Sequence, residues 1–508
     1  MEIRCLRKGD NLRKSKNIFI NGFFLTLSAL FVRGLGIVFN IYISNKIGSE
    51  ALGIFTLVMS VYSFFMTIAN SGISLATTCI LSEEIAQNRM SNVVKVMKKC
   101  IKSSALIGVI SSFLIIVLAN FISDVFLNNA VNSSPLYFIS LGLPFIAVSS
   151  IFNGYFLSVR KAKKTAIVSI LEFIVRISST VLLLNALIDK GTEYICISLI
   201  LGDAISEFFA CAMLFVLYKA DIHKFYAPIK YTDNFNQKIC SICIPFAITS
   251  YIKSGLSTLK QILIPLRLEK FGLSSSLALS KYGVINGMVM PIIVFPNLII
   301  NSFSGLLVPE FTRYYAVKNF KMINYVSDKL FRLIFICSIF VASIFFFFSE
   351  EISLAIYNNI ECSEFFKLLA PLVVLMYFDN IIDSILKGLE KQVAVMFCNI
   401  ADLFLSVAFI YFLLPVFGID GYIGVIFFSE ILNFAISLIQ LSRLVKIRFN
   451  FVYYISVPII ISFFSNFIVQ FLINISSGNS ILNLCLDIML FAVLYFGSFF
   501  FVSRRRNI

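Results

Sequence analysis

The chain alternates long apolar runs with short polar connections, most of them basic. The runs cover Asn17–Ser44, Leu52–Gly72, Ser104–Phe126, Pro135–Ser158, Thr165–Leu187, Tyr194–Leu217, Ile239–Leu263, Tyr282–Leu307, Leu330–Phe348, Glu364–Leu386, Val393–Leu414, Gly421–Leu441, Phe451–Ile473 and Ile481–Val502. A bilayer core about 30 Å thick needs about 20 apolar residues per helical crossing, and each run approaches or exceeds that length. The runs are continuous and lack the two-residue alternation of a barrel strand. The pattern predicts an all-α polytopic membrane protein with about fourteen transmembrane helices.

Composition agrees with this. Of 508 residues, 59% are hydrophobic and 14% charged, against about 45–50% and about 25% in soluble domains, and the mean hydropathy is +0.92. A soluble enzyme is excluded. The net charge of +15 would suggest nucleic acid if it were spread over a surface. Instead, 31 of the 42 Lys and Arg lie in segments on the N-terminal side of the membrane, and only Lys46, Lys190, Arg267 and Lys270 lie in the opposite loops. Cytoplasmic loops carry the basic excess, so both termini are expected in the cytoplasm of a cell-membrane protein, with no nucleic-acid partner. The basic segment 1–16 precedes an apolar run far longer than the about 7–15 residues of a signal peptide's core, which predicts a retained first helix. Most of the eleven cysteines lie inside apolar runs and predict no disulfide framework. Cys240 and Cys243 form a C-x-x-C, but with His223 as the one histidine no zinc site is expected.

An internal repeat organises these runs. Asn153-Gly-Tyr-Phe-Leu-Ser-Val-Arg-Lys leaves run 4 as Asp383-Ser-Ile-Leu-Lys-Gly-Leu-Glu-Lys leaves run 10, 230 residues later. The same offset carries Gly53 to Gly283 and Glu172 to Asp402; with small gaps, Ser206-Glu207 meets Ser429-Glu430 and Asn45–Gly48 meets Glu269–Gly272. Six crossings per repeat is an even number, so the halves are parallel, related by an axis along the membrane normal. The expected organisation is a basic terminus (1–16), an N-terminal lobe (17–217), a cytoplasmic linker (218–238), a C-terminal lobe (239–441), two added helices (451–502) and a basic tail (503–508).

Ionisable residues inside these runs are the candidates for chemistry. Each costs at least about 2.5–3.5 kcal/mol at a helix centre and is expected to face the bundle or water. Arg33 sits mid-run in Val-Arg-Gly-Leu-Gly, Lys253 and Lys260 lie seven apart on run 7, and Lys281 opens run 8, which Pro291 and Pro296 should bend. Together they predict a cationic cavity, with arginine the stronger phosphate ligand because its fork matches phosphate oxygens. Asp379 and Asp383, four apart, form a candidate proton or sodium site, with Asp402 and Glu430 as further coupling candidates. Glu172 and Arg176, four apart, are expected to neutralise each other, and Asp203 and Glu207 to hydrogen-bond within their bundle. No phosphate loop and no H-E-x-x-H occurs, so neither an enzyme nor a resident cofactor is expected. The inner loops, such as Ala86–Lys102, are basic and amphipathic and suit anionic membrane lipids.

Several stretches resemble a known family. Phe31-Val-Arg-Gly-Leu-Gly-Ile, Ile47-Gly-Ser-Glu-Ala-Leu-Gly-Ile-Phe, Asn70-Ser-Gly-Ile-Ser, Leu81-Ser-Glu-Glu and Gly287-Met-Val-Met-Pro291 resemble the stage V sporulation protein B family. That family is grouped with polysaccharide exporters and MurJ-type lipid II flippases in the multidrug/oligosaccharidyl-lipid/polysaccharide exporter superfamily. The resemblance implies two six-helix lobes in a V, alternating access and a cavity arginine at Arg33. MurJ-type flippases carry further cavity arginines on helices 2 and 8, where this chain offers none on run 2 and lysines on runs 7 and 8. The implied function is flipping of an undecaprenyl-pyrophosphate-linked saccharide, lipid II or a related cell-wall or spore-cortex precursor, in company with cell-wall synthesis enzymes. The alternative is a cation-coupled multidrug antiporter of the same fold.

Overall fold

The computed structural model describes residues 2–70, 72–87, 89–126, 132–222, 235–446, 451–473 and 481–504. His223, most of the expected linker and the last residues of the tail lie outside them. Seventeen α-helices follow one another: α1 (Glu2–Asn70), α2 (Ile73–Ala86), α3 (Met90–Phe121), α4 (Ser134–Ser158), α5 (Ala162–Leu187), α6 (Thr192–Ile222), α7 (Phe235–Lys270), α8 (Ser275–Tyr282), α9 (Met290–Val294), α10 (Asn297–Ala316), α11 (Phe320–Phe347), α12 (Ser349–Tyr357), α13 (Glu361–Leu369), α14 (Leu372–Gly388), α15 (Gln392–Ser442), α16 (Phe451–Ile473) and α17 (Ile481–Arg504). Among the described residues there is no strand.

Among the described residues eleven helices are long and apolar enough to cross a membrane, or twelve if the bent pair α13–α14 is one span. The number falls short of fourteen because two pairs of runs join end to end. Runs 1 and 2 continue through Gly48 (φ 80°, ψ 173°) in α1, and runs 11 and 12 through Gly418 (φ 59°, ψ −133°) in α15. Both conformations lie where an L side chain is strained, so glycine marks each junction. Other boundaries also differ from the sequence reading. Helix α1 begins at Glu2, within the segment taken as a basic terminus. Run 8 is divided: a π-helical turn (Gly283–Val289) separates α8 from α9, and the chain breaks again at Phe295–Pro296 before α10. Run 10 is bent by 49° between α13 and α14, where Pro371 precedes the first residue of α14.

Two compact units emerge, one of residues 1–39 and 54–262, the other of 40–53 and 263–508. In the first, α2, α3, α4, α6 and the start of α7 bury an apolar core including Ile80, Val96, Phe152, Tyr155, Leu214 and Phe235. In the second, α14 packs on α10, α11 and α15, and α16 on α11 and α17. Phe378 of α14 packs with its ring tilted against Phe331 (4.9 Å) and Phe335 (4.3 Å) and edge-on to Phe434 (5.7 Å between ring centroids).

The repeat is present in backbone detail. After α2, Arg89 N donates to Glu84 O (2.9 Å) and Asn92 N to Arg89 O (3.1 Å); 230 residues on, Asn319 N donates to Tyr314 O (2.9 Å) and Met322 N to Asn319 O (3.2 Å). After α4, Lys161 N donates to Phe156 O (2.8 Å), and after α14, Lys391 N donates to Leu386 O (2.9 Å). Arg160 and Glu390, at the same offset, both take positive φ (60° and 63°). The Thr78 hydroxyl reaches Gly154 O at 3.4 Å, and the Thr312 hydroxyl reaches Gly388 O at 3.1 Å. Both pairs span 76 residues, so the contact recurs one helical turn further along.

Candidate functional site

Within the first unit, Arg33 lies on α1 with its side chain exposed. One turn away, Gly36 faces the Phe173 ring, which Phe39 also meets edge-on at 6.3 Å, so small residues bring α1 close to α5. Among the described residues, no carboxylate pairs with Arg33 or with the exposed Lys253. Beside Lys253, Ser254 Oγ meets Thr67 Oγ1 at 3.1 Å, and Thr258 Oγ1 donates to Ser60 O at 3.0 Å, fixing α7 against α1. Lys260, on the same face, is half-buried and engaged with neighbours. Lys281 belongs to the second unit and is ion-paired with Glu361 at 3.0 Å.

Arg176, the other intramembrane arginine of this unit, has the opposite environment. Its guanidinium lies 2.8 Å from Asp203, 3.4 Å from Glu172 and 3.6 Å from Glu207, and Nε also faces Ser206 Oγ at 3.4 Å. The Glu172–Arg176 pair was legible from its spacing. The second pair of carboxylates, Asp203 and Glu207, four apart on α6, carried the same signal; that α6 faces α5 was missing from it.

In the second unit the acidic candidates gather with polar partners that the sequence reading passed over. The Phe378–Phe434 contact sets Asp379 beside Asn433. Asn433 Nδ2 donates to Asp379 Oδ2 (3.3 Å) and to Asn399 Oδ1 (3.4 Å), and Ser437 Oγ donates to Asp383 Oδ1 (3.4 Å). Side chains of α14 and of the two ends of α15 thus meet around the two carboxylates. Lys387 flanks Asp383 at 3.7 Å. Asp379 is 9% exposed, and its Oδ1 is buried without a hydrogen-bond partner. Asp402 accepts from Ser429 Oγ at 2.6 Å, and Ser429 in turn meets Ser406 Oγ at 3.2 Å. Glu430 is half-buried and engaged with neighbours.

Residues 18–315, more than half of the chain, match the family described as polysaccharide biosynthesis protein. The chain belongs to that family. Residues 270–412 also match the family described as MatE. Stage V sporulation protein B of Bacillus subtilis (strain 168) is 24% identical over 415 residues, covering 80% of each chain, and sporulation protein YkvU of the same strain is 20% identical over 386 residues, covering 73% of this chain and 83% of that protein. Among solved structures, the lipid II flippase MurJ in an inward closed conformation superposes with a TM-score of 0.69 at 13% identity, over 96% of this chain and 100% of that one. An inward-facing multidrug resistance transporter of the MATE family follows with a TM-score of 0.63 at 13% identity, over 82% and 98%. This polysaccharide biosynthesis family member is therefore a multi-pass membrane protein with the fold of the MurJ flippase and of the MATE transporter.

Proposed function

We propose that the protein flips a polyprenyl-pyrophosphate-linked saccharide, lipid II or a related cell-wall or spore-cortex precursor, from the inner to the outer leaflet of the cell membrane. The observation that carries this reading is the contrast between two arginines. Arg176 is neutralised by three carboxylates, while Arg33 keeps its fork free of carboxylates among the described residues. An unneutralised guanidinium in an apolar helix is costly, and a diphosphate is the partner its geometry suits. Lys253 and Lys260 belong to the same unit and offer further positive charge to an anionic headgroup, while Lys281 of the second unit is already paired with Glu361. The names of the relatives support a lipid-linked saccharide as cargo. In this reading both termini are cytoplasmic, the basic inner loops rest on anionic lipid, Asp379, Asp383, Asp402 and Glu430 couple transport to a proton or sodium gradient, and cell-wall synthesis enzymes receive the product.

The test is binding of a polyprenyl-pyrophosphate saccharide to purified variants, followed by its translocation in vesicles. A hydrogen bond to a charged group contributes about 1.5–3 kcal/mol, so Arg33→Ala should weaken binding roughly 10- to 100-fold. Arg33→Lys should fall between wild type and alanine. A stable Arg33→Ala protein that binds as tightly as wild type refutes the reading and favours a drug antiporter of the same fold.

A further inference from the structure

Helix α7 carries a row of cations along one face. Lys253, Lys260 and Arg267 recur every seven residues, so each lies within about 20° of the last around the helix and about 10.5 Å further along it. At the 224-residue offset that pairs Asn45–Gly48 with Glu269–Gly272, the same positions are Ala29, Gly36 and Ile43. The repeat thus builds the corresponding helix without a charge at any of them, and the fold does not require the row.

Arg267 ends the row, in the last turn of α7. A cation there complements the helix dipole, but Lys270 of the same turn already does so. The Arg267 guanidinium lies over the Tyr411 ring of α15, 3.5 Å from its centroid, and both residues belong to the second unit. Phe271 fixes this register: it packs on Gly418, the junction residue of α15, so closely that a methyl group there would lie 2.7 Å from the ring. Among the described residues no carboxylate pairs with Arg267, and its Nε is buried without an acceptor. A buried donor left unpaired is unfavourable, so the arrangement calls for an acceptor from outside the chain. Tyr411 is 46% exposed, which leaves the pair open to one. A guanidinium with one face on an aromatic ring keeps its in-plane fork for acceptors, and that fork matches phosphate oxygens two at a time.

We propose that Arg267, stacked on Tyr411, receives the diphosphate of the lipid-linked cargo at the outer end of α7 as the first unit's cations release it. This rests on the flippase reading and adds a release site to it. The Arg267 fork donates to the phosphate oxygens, and the Tyr411 ring holds the guanidinium flat for them. Lys253 and Lys260, on the same face of α7, lead the headgroup toward that end in steps of about 10.5 Å.

The chain contains no tryptophan, so Tyr411→Trp keeps a stacking ring and makes it the sole tryptophan reporter, against Arg267. The purified full-length variant is titrated in detergent with a polyprenyl diphosphate, with the matching polyprenol and with phosphatidylglycerol. A saturable fluorescence change with the diphosphate alone is expected. Adding Arg267→Ala should weaken that response roughly ten-fold or more, and Arg267→Lys should fall between. An unchanged midpoint without Arg267 overturns the proposal. So does an equal response to the polyprenol, which would make the site a contact for the chain, or to phosphatidylglycerol, which would make it a general headgroup contact. If Tyr411→Trp does not accumulate, translocation of the lipid-linked saccharide in vesicles decides: Arg267→Ala should slow it roughly ten-fold and Arg267→Lys restore part of the rate, whereas a wild-type rate in Arg267→Ala overturns the proposal. Total binding by Arg33→Ala tests the flippase reading separately, so a lost Arg33 effect refutes that reading, while a lost Arg267 effect alone refutes only the release site.

Discussion

Replacing Arg176 with glutamine leaves Glu172, Asp203 and Glu207 facing one another without the guanidinium that lies 2.8–3.6 Å from each. Removing one partner of a buried ion pair typically destabilises by about 3–5 kcal/mol, because the remaining charge stays desolvated. The Arg176 side chain is 28% exposed, so some screening is retained and about 2–3 kcal/mol is the better expectation. That is roughly a 30- to 150-fold fall in the ratio of folded to unfolded protein. Arg33, which holds no carboxylate among the described residues, should change stability by no more than about 0.5 kcal/mol when replaced by alanine. Reversible unfolding of both variants by SDS titration in mixed micelles measures the difference. Arg176→Lys should recover part of the loss, retaining the charge but losing the fork. Adding Glu172→Gln, Asp203→Asn and Glu207→Gln to Arg176→Gln should recover most of it, since a neutral, hydrogen-bonded set has no orphaned charge. If Arg176→Gln unfolds within about 0.5 kcal/mol of wild type, the carboxylates are already neutral in the native state and the contrast with Arg33 collapses.

Two further outcomes follow from local geometry. A methyl group on Gly283 would lie 2.0 Å from Ser49 O, and one on Gly53 2.1 Å from Leu279 O, beside the 2.7 Å Ser49–Ser280 hydroxyl contact; Gly424 has nothing within 4 Å. Gly53→Ala and Gly283→Ala should therefore each lower the melting temperature of the purified protein, while Gly424→Ala should match or exceed wild type; three equal melting temperatures would refute the close crossing. Single cysteines at Lys46 and Lys190 in a background without native cysteines should react with an impermeant thiol reagent from outside the cell, while one at Lys163 should not; outside labelling at Lys163 would overturn the orientation.

The all-α membrane class was legible because lipid leaves little choice: a run of about 20 apolar residues must satisfy its backbone internally. The repeat was legible as well, since the turns after α2 and α4 recur at the offset read from Asn153 and Asp383. What escaped the sequence were breaks within or between runs. Gly48 and Gly418 fall where the sequence places boundaries between runs, yet the helix continues through each with a single non-helical residue, so α1 and α15 each run longer than one crossing. The bend at Pro371 and the π-helical turn at Gly283–Val289 depend on neighbouring helices for their partners. The acidic residues could be picked out one by one, being rare in apolar runs. Asn399, Asn433 and Ser437 could not, because amides and hydroxyls are common in membrane helices and only packing shows which of them meet a carboxylate.

The two halves make each other's best control. Whatever both retain is what the six-helix unit requires: the backbone turns after α2 and after α4, and the threonine hydroxyl set against a glycine carbonyl. Whatever they hold differently is released from that requirement. On α5 and α6, Glu172, Arg176, Ser206 and Glu207 form a centre with its own fixed cation; the matching Asp402, Ser406, Ser429 and Glu430 keep the acids and the hydroxyl, but a serine stands where the arginine was. The first half thus carries internal neutralisation for part of its buried acid, while its Arg33 pairs with no carboxylate among the described residues. The second half keeps its acids but sets Ser406 where the first has Arg176, and its Asp383 is flanked by Lys387 at 3.7 Å. That asymmetry is what a carrier needs if an anionic headgroup and a driving cation are to be bound by separate halves, because each ligand can then bias its own bundle without displacing the other.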